Sequence, residues 1–420
     1  MTEGLIGSIH ACADKIRFHT PSHAGNLTID AAECDVTELP YTDNLLSPIS
    51  HISELEKNIA SAYGAEACFI STQGTTGSIF QAIFATKDDG AFLIVGKTHC
   101  SVYNALRVFG CKAFHVDELL PETEIPGGVR TAIFTSPDYF GNVLPLDNLS
   151  KRLREKGIKI IVDSAHGAHF AFGKKLPVSA SEYADLAAFS LHKTLPVMTG
   201  GSVLAVKKEY AEKCALARKI LHSTSPSFAI ICSIERAIID HKENGERYFD
   251  EVISAAENFA EAIKPPFFVK KSDDVTRIVL SSPYAGKSVE KALFDKGFVA
   301  EFAVGNDVVF IANRENCRFL VSLAEAVNGI RDLDRQTCLD FPYKAHPNPA
   351  PIEFGGDFEA IDLSEAEGRK AYCEVGFYPP GVPLIYSHDV ITKEQIALFR
   401  SENLREAVFG LEKEKIFVLK

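Results

Sequence analysis

What the chain lacks narrows the field first. No Ser-rich, Gln-rich or single-sign charged tract runs through its 420 residues, which excludes long disordered segments. No CxxC pair occurs among the ten cysteines and no Cys/His spacing suits zinc, so neither a metal nor a disulfide framework is expected, and the thiols read as reduced. No apolar stretch approaches the roughly 20 residues needed to cross a bilayer. The opening MTEGLIGSIHACADK has neither the basic nor the long apolar region of a secretory leader, so no membrane partner and a cytoplasmic location are expected. The net charge of -12 is spread along the chain rather than gathered into a basic face, which argues against nucleic acid as a partner. The Walker loop and the Rossmann GxGxxG are missing as well, and no internal repeat is present.

What is present is ordinary globular composition, 46% hydrophobic and 24% charged, at a length that suggests more than one domain. From about residue 50 to 206, short apolar runs alternate with amphipathic ones. ACFIST, AFLIVG, KAFHVD, RTAIFTS, IKIIVDS, LAAFSLH and GSVLAVKK read as strands, with ISELEKNIASAYG, TGSIFQAIFAT, SVYNALRVFG and LDNLSKRLREKG as helices between them. The expected fold is therefore α/β, with a mainly parallel seven-stranded sheet between helices and a smaller C-terminal α+β domain. LAAFSLH and GSVLAVKK are joined too tightly for a crossover and should not be parallel neighbours. Residues 207–264 read as largely helical up to Pro265 and Pro266. The divisions expected are an N-terminal segment over 1–35, a large domain over 36–260 and a small domain over 261–420. HPNPAPIEFGG and YPPGVPLIYSHD read as shaped loops.

Ligands of a parallel sheet gather at the carboxyl ends of its strands, so reactive residues placed there become candidates. STQGTTGSIF follows a strand and opens a helix; Thr75, Thr76 and the first-turn amides could hold a phosphate, or merely cap the helix. Asp163 ends IKIIVD, where it could pair with a cationic ring nitrogen or simply cap the next turn. His99, after AFLIV, could stack on a flat ligand or play a structural part. Lys193 stands in the apolar stretch AAFSLHKTLPVMTGG, and a lysine there is desolvated unless its amine is paired, neutral, covalently used or snorkelled to solvent. A phosphate-type helix start, a stacking His, a strand-end Asp and a strand-end Lys, in that order in one domain, are the parts needed to hold pyridoxal 5′-phosphate.

The stretches FHTPSHAGN, DVTELPYTDNL, ISTQGTTGSIFQAI, KTHCSVYNAL, IIVDSAHGAHF, SLHKTL, STSPSFAIICSIERA and GRKAYCEVGFYPPGVPL reach from residue 18 to about 385. With them the chain resembles the Orn/Lys/Arg decarboxylase family of fold-type-I pyridoxal-phosphate enzymes, in a short form without the receiver-like N-terminal domain of larger members. The resemblance implies Lys193 as the Schiff-base lysine, Asp163 on the pyridine nitrogen, His99 stacked on the ring and Ala165 against its other face. Thr75 and Thr76 would hold the phosphate with Ser190 and His192 nearby, and Thr224 and Ser225 would reach the phosphate of a neighbouring subunit, making the active unit at least a homodimer. It further implies decarboxylation of a basic amino acid to its amine and CO2, in polyamine metabolism, with a proton returned to Cα by Lys193 or His192. Another fold-type-I reaction, an aminotransferase or lyase, and a catalytically silent pyridoxal-phosphate protein are the alternatives. A basic substrate needs an anionic partner; Glu374 and, less so, Glu367 are the candidates, while Asp138 is expected to shape a loop over the cofactor. The chain departs from the family at Pro21-Ser22-His23-Ala24, where members commonly carry Pro-Gly-His-Lys.

Overall fold

The computed structural model describes all residues except 1–4, 11, 40, 332, 334–345, 379–380 and 401–407. The seven apolar runs form strands β1 (Ala67–Ser71), β2 (Ala91–Val95), β3 (Ala113–Val116), β4 (Val129–Thr135), β5 (Lys159–Asp163), β6 (Leu186–Phe189) and β7 (Ser202–Val206). Every residue of β2, β6 and β7 is buried. They read as unbroken apolar runs because both faces of the sheet are covered. Ile70, Leu93, Phe134 and Val162 pack into one layer, and Phe69, Phe92, Ile133 and Ile161 into the other.

Strands β3, β2, β4, β5 and β6 lie side by side in parallel. β7 pairs antiparallel with both β6 and β1, so it is the reversed strand among the seven, as its tight link to β6 requires. The sheet has eight strands rather than the seven expected. Ala350–Ile352 adds antiparallel to β3, out of the Pro-rich segment that reads as a loop. It is the edge strand, which is where Pro351 can be tolerated.

The flanking helices are α1 (His51–Tyr63), α2 (Gly74–Thr86), α3 (Cys100–Val108), α4 (Leu146–Glu155), α5 (Lys208–Leu221) and α6 (Phe228–Ala262). Gly64 ends α1 in the left-handed region at φ 63°, its amide returning to Ala60 and Ser61. The 35-residue α6 joins two cores. Ile231, Ile234 and Ile238 belong to the large core, while Val252, Ala256 and Phe259 pack with Ile278, Leu280 and Phe310 of a second sheet. That sheet contains the strands Arg277–Ser281 and Asp307–Ile311, paired antiparallel. A separate cluster, with Leu363, Val375, Ile385, Phe399 and Val418, forms the core of the C-terminal part. Among the described residues, no helix is long and apolar enough to cross a membrane.

Candidate active site

The parallel register sets the site. Asp163 closes β5 opposite Thr135 of β4 and Ala188 of β6. One residue past β6, the chain turns into a short helical piece, Leu191–Thr194, rather than continuing as the strand LAAFSLH. Leu191 and Thr194 point inward, which leaves His192 and Lys193 part-exposed at the carboxyl edge of the sheet. The Lys193 Nζ lies 3.0 Å from Nε2 of His166 and 5.2 Å from the centre of the Tyr139 ring. Burial pushes the lysine below its ordinary value; the carboxylates of Asp163 and Glu301 oppose that, and the Arg277 guanidinium adds to it. Such an amine offers more of its unprotonated, nucleophilic form at neutral pH.

Asp163 is 4% exposed and accepts the amide of Ala165 at 3.1 Å. Burial raises its carboxyl, and Lys193 pulls it back. His99 caps α3, its Nδ1 3.1 Å from the Ser101 amide and 2.8 Å from the Ser101 hydroxyl. Burial and then Lys193 push its pKa down to about 4, so the ring is neutral near pH 7. Since Nδ1 accepts the amide, the proton of that neutral ring sits on Nε2. Gly381 leans on the other edge of the same ring. A Cβ there would come within 2.6 Å of Cδ2 and 2.7 Å of Nε2, and its φ of +79° suits glycine.

His192 has its Nδ1 3.2 Å from the Gly201 carbonyl and 3.3 Å from the Ser190 hydroxyl, and Ser190 is itself buried. Facing a carbonyl, Nδ1 is the donor. Burial, offset in part by that carbonyl and reinforced by Lys193, lowers this ring to about 4 as well. Thr75 and Thr76 occupy the first turn of α2, and the Thr75 hydroxyl is buried without a partner. Gly200 and Gly74 make this approach possible: the Gly74 amide donates to Gly200 at 2.7 Å, and a Cβ on Gly200 would meet the Thr72 carbonyl at 2.9 Å. Thr224 and Ser225 are exposed, in the loop that follows His222, and His222 Nε2 accepts the Thr72 amide at 3.1 Å. Ala165 is buried in the turn after Asp163.

Of the other candidates, Asp138 holds its own loop: its carboxylate accepts the amides of Phe140 and Asn142 at 2.8 and 2.9 Å. One oxygen of Glu374 is already paired, and the other is buried without a partner. The side chain is buried against Arg107 of α3, with Nη2 2.7 Å from Oε2. Glu367 is on the surface, and Arg369 pairs with Glu359 instead. Of the YPPGVPL motif, Pro379 and Pro380 lie outside the described residues.

Five further residues enter the site, none of which the sequence had assigned a role there. A cavity of about 370 Å³ opens over Lys193, lined by His19, Thr20, Pro21, Tyr139, His192, Glu301 and Tyr378 among others. Its carboxylate is Glu301, which accepts the Thr20 amide at 2.7 Å with one oxygen while the other has only a 3.5 Å contact to the Thr20 hydroxyl. Tyr139 packs its ring 4.2 Å from that of His166. Arg277, 2% exposed, places Nη2 2.9 Å from Nδ1 of His166. Ser22 stands where the family commonly has glycine; its hydroxyl donates to the Lys193 carbonyl at 2.6 Å, and its amide to the His192 carbonyl at 2.9 Å. The DSAHGAHF motif and the Ser22 departure were visible signals for two of them; Glu301, Tyr139 and Arg277 had none.

Residues 113–283 match the family model described as Orn/Lys/Arg decarboxylase, major domain. The match is to the Orn/Lys/Arg decarboxylase family. The family matched is the one that the motifs resemble. Similar to the chain along nearly its whole length are the uncharacterized protein YaaO of Bacillus subtilis, 27% identical over 92% of this chain and 91% of that protein, and an arginine decarboxylase of the same organism, 24% identical over 98% and 95%. In structure, it resembles the constitutive lysine decarboxylase of Escherichia coli with a TM-score of 0.73 at 17% identity, covering 93% of this chain and 76% of that one. The serine palmitoyltransferase of Sphingomonas wittichii follows the same fold with a TM-score of 0.61 at 13% identity, covering 75% of this chain and 86% of that one. The α/β architecture is that of fold type I.

Proposed function

We propose that this chain is a pyridoxal-phosphate-dependent decarboxylase that converts a basic amino acid to its amine and CO2. The observation that carries the substrate class is Glu301, a carboxylate with an under-used oxygen on the wall of the cavity over Lys193. Arginine, lysine and ornithine all bear a distal cation that such a group can pair, and an unpaired buried cation would be costly.

The residues fit the cofactor on observations of this structure. Asp163 is a buried carboxylate at a strand end, the Thr75 hydroxyl at the start of α2 is buried without a partner, and the Lys193 amine is held back from protonation. Lys193 would bear the cofactor, Asp163 would meet the ring nitrogen, His99 and Ala165 would flank the ring, and Thr75 and Thr76 would hold its phosphate end, with Ser190 and His192 nearby. When bound, pyridoxal phosphate supplies an electron sink for the pair released as the Cα–carboxylate bond breaks. The remaining work falls to the chain. Asp163 would stabilise positive charge on the ring nitrogen. The neutral rings of His99 and His192 bring no competing cation. His192 spends its Nδ1 proton on the Gly201 carbonyl and has a bare Nε2, so Lys193 would be the better donor of the proton that returns to Cα.

The product class suits polyamine formation, and the free thiols of the described cysteines fit a cytoplasmic setting. Thr224 and Ser225 stand exposed where a second copy can meet them, in keeping with a homodimer. Purified protein reconstituted with pyridoxal phosphate should release CO2 from at least one of arginine, lysine, ornithine and related diamino acids, and lose both that activity and its cofactor absorbance band in Lys193→Ala. Formation of a keto acid without CO2 from every one of them would overturn the proposal.

A further inference from the structure

Arg277 is the largest of the fully buried side chains, and among the described residues no carboxylate forms an ion pair with it. Its Nε and Nη1 are buried without partners. An arginine in this state contributes little to stability, because desolvating the cation and its donors is costly. The fold nevertheless makes room for it. Gly141, at φ +86°, is where a Cβ would meet the Arg277 Cβ at 2.9 Å and the Asp274 carbonyl at 3.1 Å. The Asp274 amide donates to the Gly141 carbonyl at 2.9 Å. Three residues before Arg277, in the loop that leads into its strand, Asp274 meets His169 at 3.3 Å, so Asp274 and Arg277 together grip His166, in the turn after β5, and His169, in the short 3-10 helix Ala168–Phe172 that follows it.

The donor arithmetic of the chain Arg277, His166, Lys193 has one consistent solution. A guanidinium only donates and does not lose its proton, so Nδ1 of His166, 2.9 Å from Nη2, must present its lone pair. The ring is then neither imidazolium nor the Nδ1–H tautomer, and its proton is on Nε2. That proton faces the Lys193 Nζ at 3.0 Å. An ammonium has no lone pair to receive it, whereas a neutral amine has one. We propose that Arg277 is a positioning residue: by donating to Nδ1 it fixes His166 as an Nε2–H donor, which holds the Lys193 amine as an unprotonated acceptor.

The charges around Lys193 are mixed, which is why such a device matters. Asp163 on β5 and Glu301 on the cavity wall favour the ammonium; Arg277 and burial oppose it. Tyr139 covers the His166 ring at 4.2 Å, and burial followed by Lys193 and Arg277 keeps that ring well below its ordinary value. His99 and His192 also face this charge and are neutral. The inference rests on Lys193 being the reactive amine, but its test needs no turnover.

In the cofactor-free full chain, the rate at which Lys193 is acetylated by limiting acetic anhydride, read by mass spectrometry across pH 6–10, reports its unprotonated fraction. Arg277→Met removes both the cation and the fixed donor, so the lysine's midpoint should move up and labelling at pH 7 should fall about tenfold for each pH unit of that move. Arg277→Lys, which keeps a donor and a charge, should restore most of the rate. An unchanged Lys193 rate in folded Arg277→Met, or an equal loss in Arg277→Lys, would overturn the proposal. The wild-type protein gives a second reading that no misfolded variant can spoil. Nitrogen-15 spectra, with His166 assigned by difference from His166→Gln, should show an unprotonated Nδ1 and a protonated Nε2; an Nδ1–H tautomer or an imidazolium at pH 7 would sink it. Failure of the CO2 assay with these readings intact would count against decarboxylation and leave the Arg277 assignment standing.

Discussion

Replacing Glu301 by glutamine tests the substrate reading most directly. The amide keeps an oxygen for the Thr20 amide at 2.7 Å, so the wall of the cavity should hold its shape while the negative charge disappears. A full charge pair at contact distance is worth about 4 kcal/mol at an effective dielectric near 20. Glu301 is part-exposed and already shares one oxygen, which reduces this to about 1.5–3 kcal/mol, the range of hydrogen bonds to charged groups. The kcat/KM for the best basic substrate should therefore fall roughly 10- to 150-fold. Damage to the lysine cannot mimic this result. Glu301 is one of the groups that hold Lys193 protonated, so removing it leaves the amine freer, not less free.

The assay is CO2 release by the cofactor-loaded protein, run in parallel on the basic amino acid and on a neutral chain of similar length such as norleucine. Glu301→Gln should narrow the preference for the basic substrate while leaving the neutral one within about threefold. An unchanged preference would place the distal cation against some other group and refute the reasoning. An equal fall on both substrates would do the same, because it would mean that Glu301 shapes the cavity rather than reading charge.

Other outcomes follow from single contacts. Ser22→Ala removes a buried hydroxyl from the Lys193 carbonyl and should lower the free energy of unfolding by about 1–2 kcal/mol, measured by denaturant titration. Gly381→Ala forces a Cβ onto the His99 ring at a positive φ; it should weaken cofactor binding, followed by fluorescence or absorbance titration, and cost about 1–3 kcal/mol of stability. His99 and His192 have folded-state values of about 4 against an ordinary value of about 6.5. The unfolded chain therefore binds more protons between these values, and stability should drop as pH falls from 6.5 towards 4 and level off below. Urea midpoints across that window check it, and His99→Asn should flatten the slope.

The readable parts of this site were those fixed by local pattern. An apolar run ending in Asp163 and another ending just before Ser190 place both residues at the carboxyl edge of a parallel sheet, whatever the tertiary details. Even there the lysine was read as the end of a strand, and the buried Leu191 and Thr194 turn it into a helical piece instead. The eighth strand escaped because Pro351 argues for a loop unless one knows that its strand is at the edge. Glu374 drew notice by standing near YPPGVPL, yet sequence proximity carries no information about Arg107, 267 positions away, which holds it. The same distance hides the groups that matter most to Lys193. His166 is 27 positions from it, and Arg277 is 111 from His166. Each is plain in isolation, a histidine in a turn and an arginine opening a strand. Only the packing of the second sheet against the turn after β5 joins them into one line of donors, and it is that line, rather than the lysine's own neighbours in the chain, that decides whether the amine carries its proton.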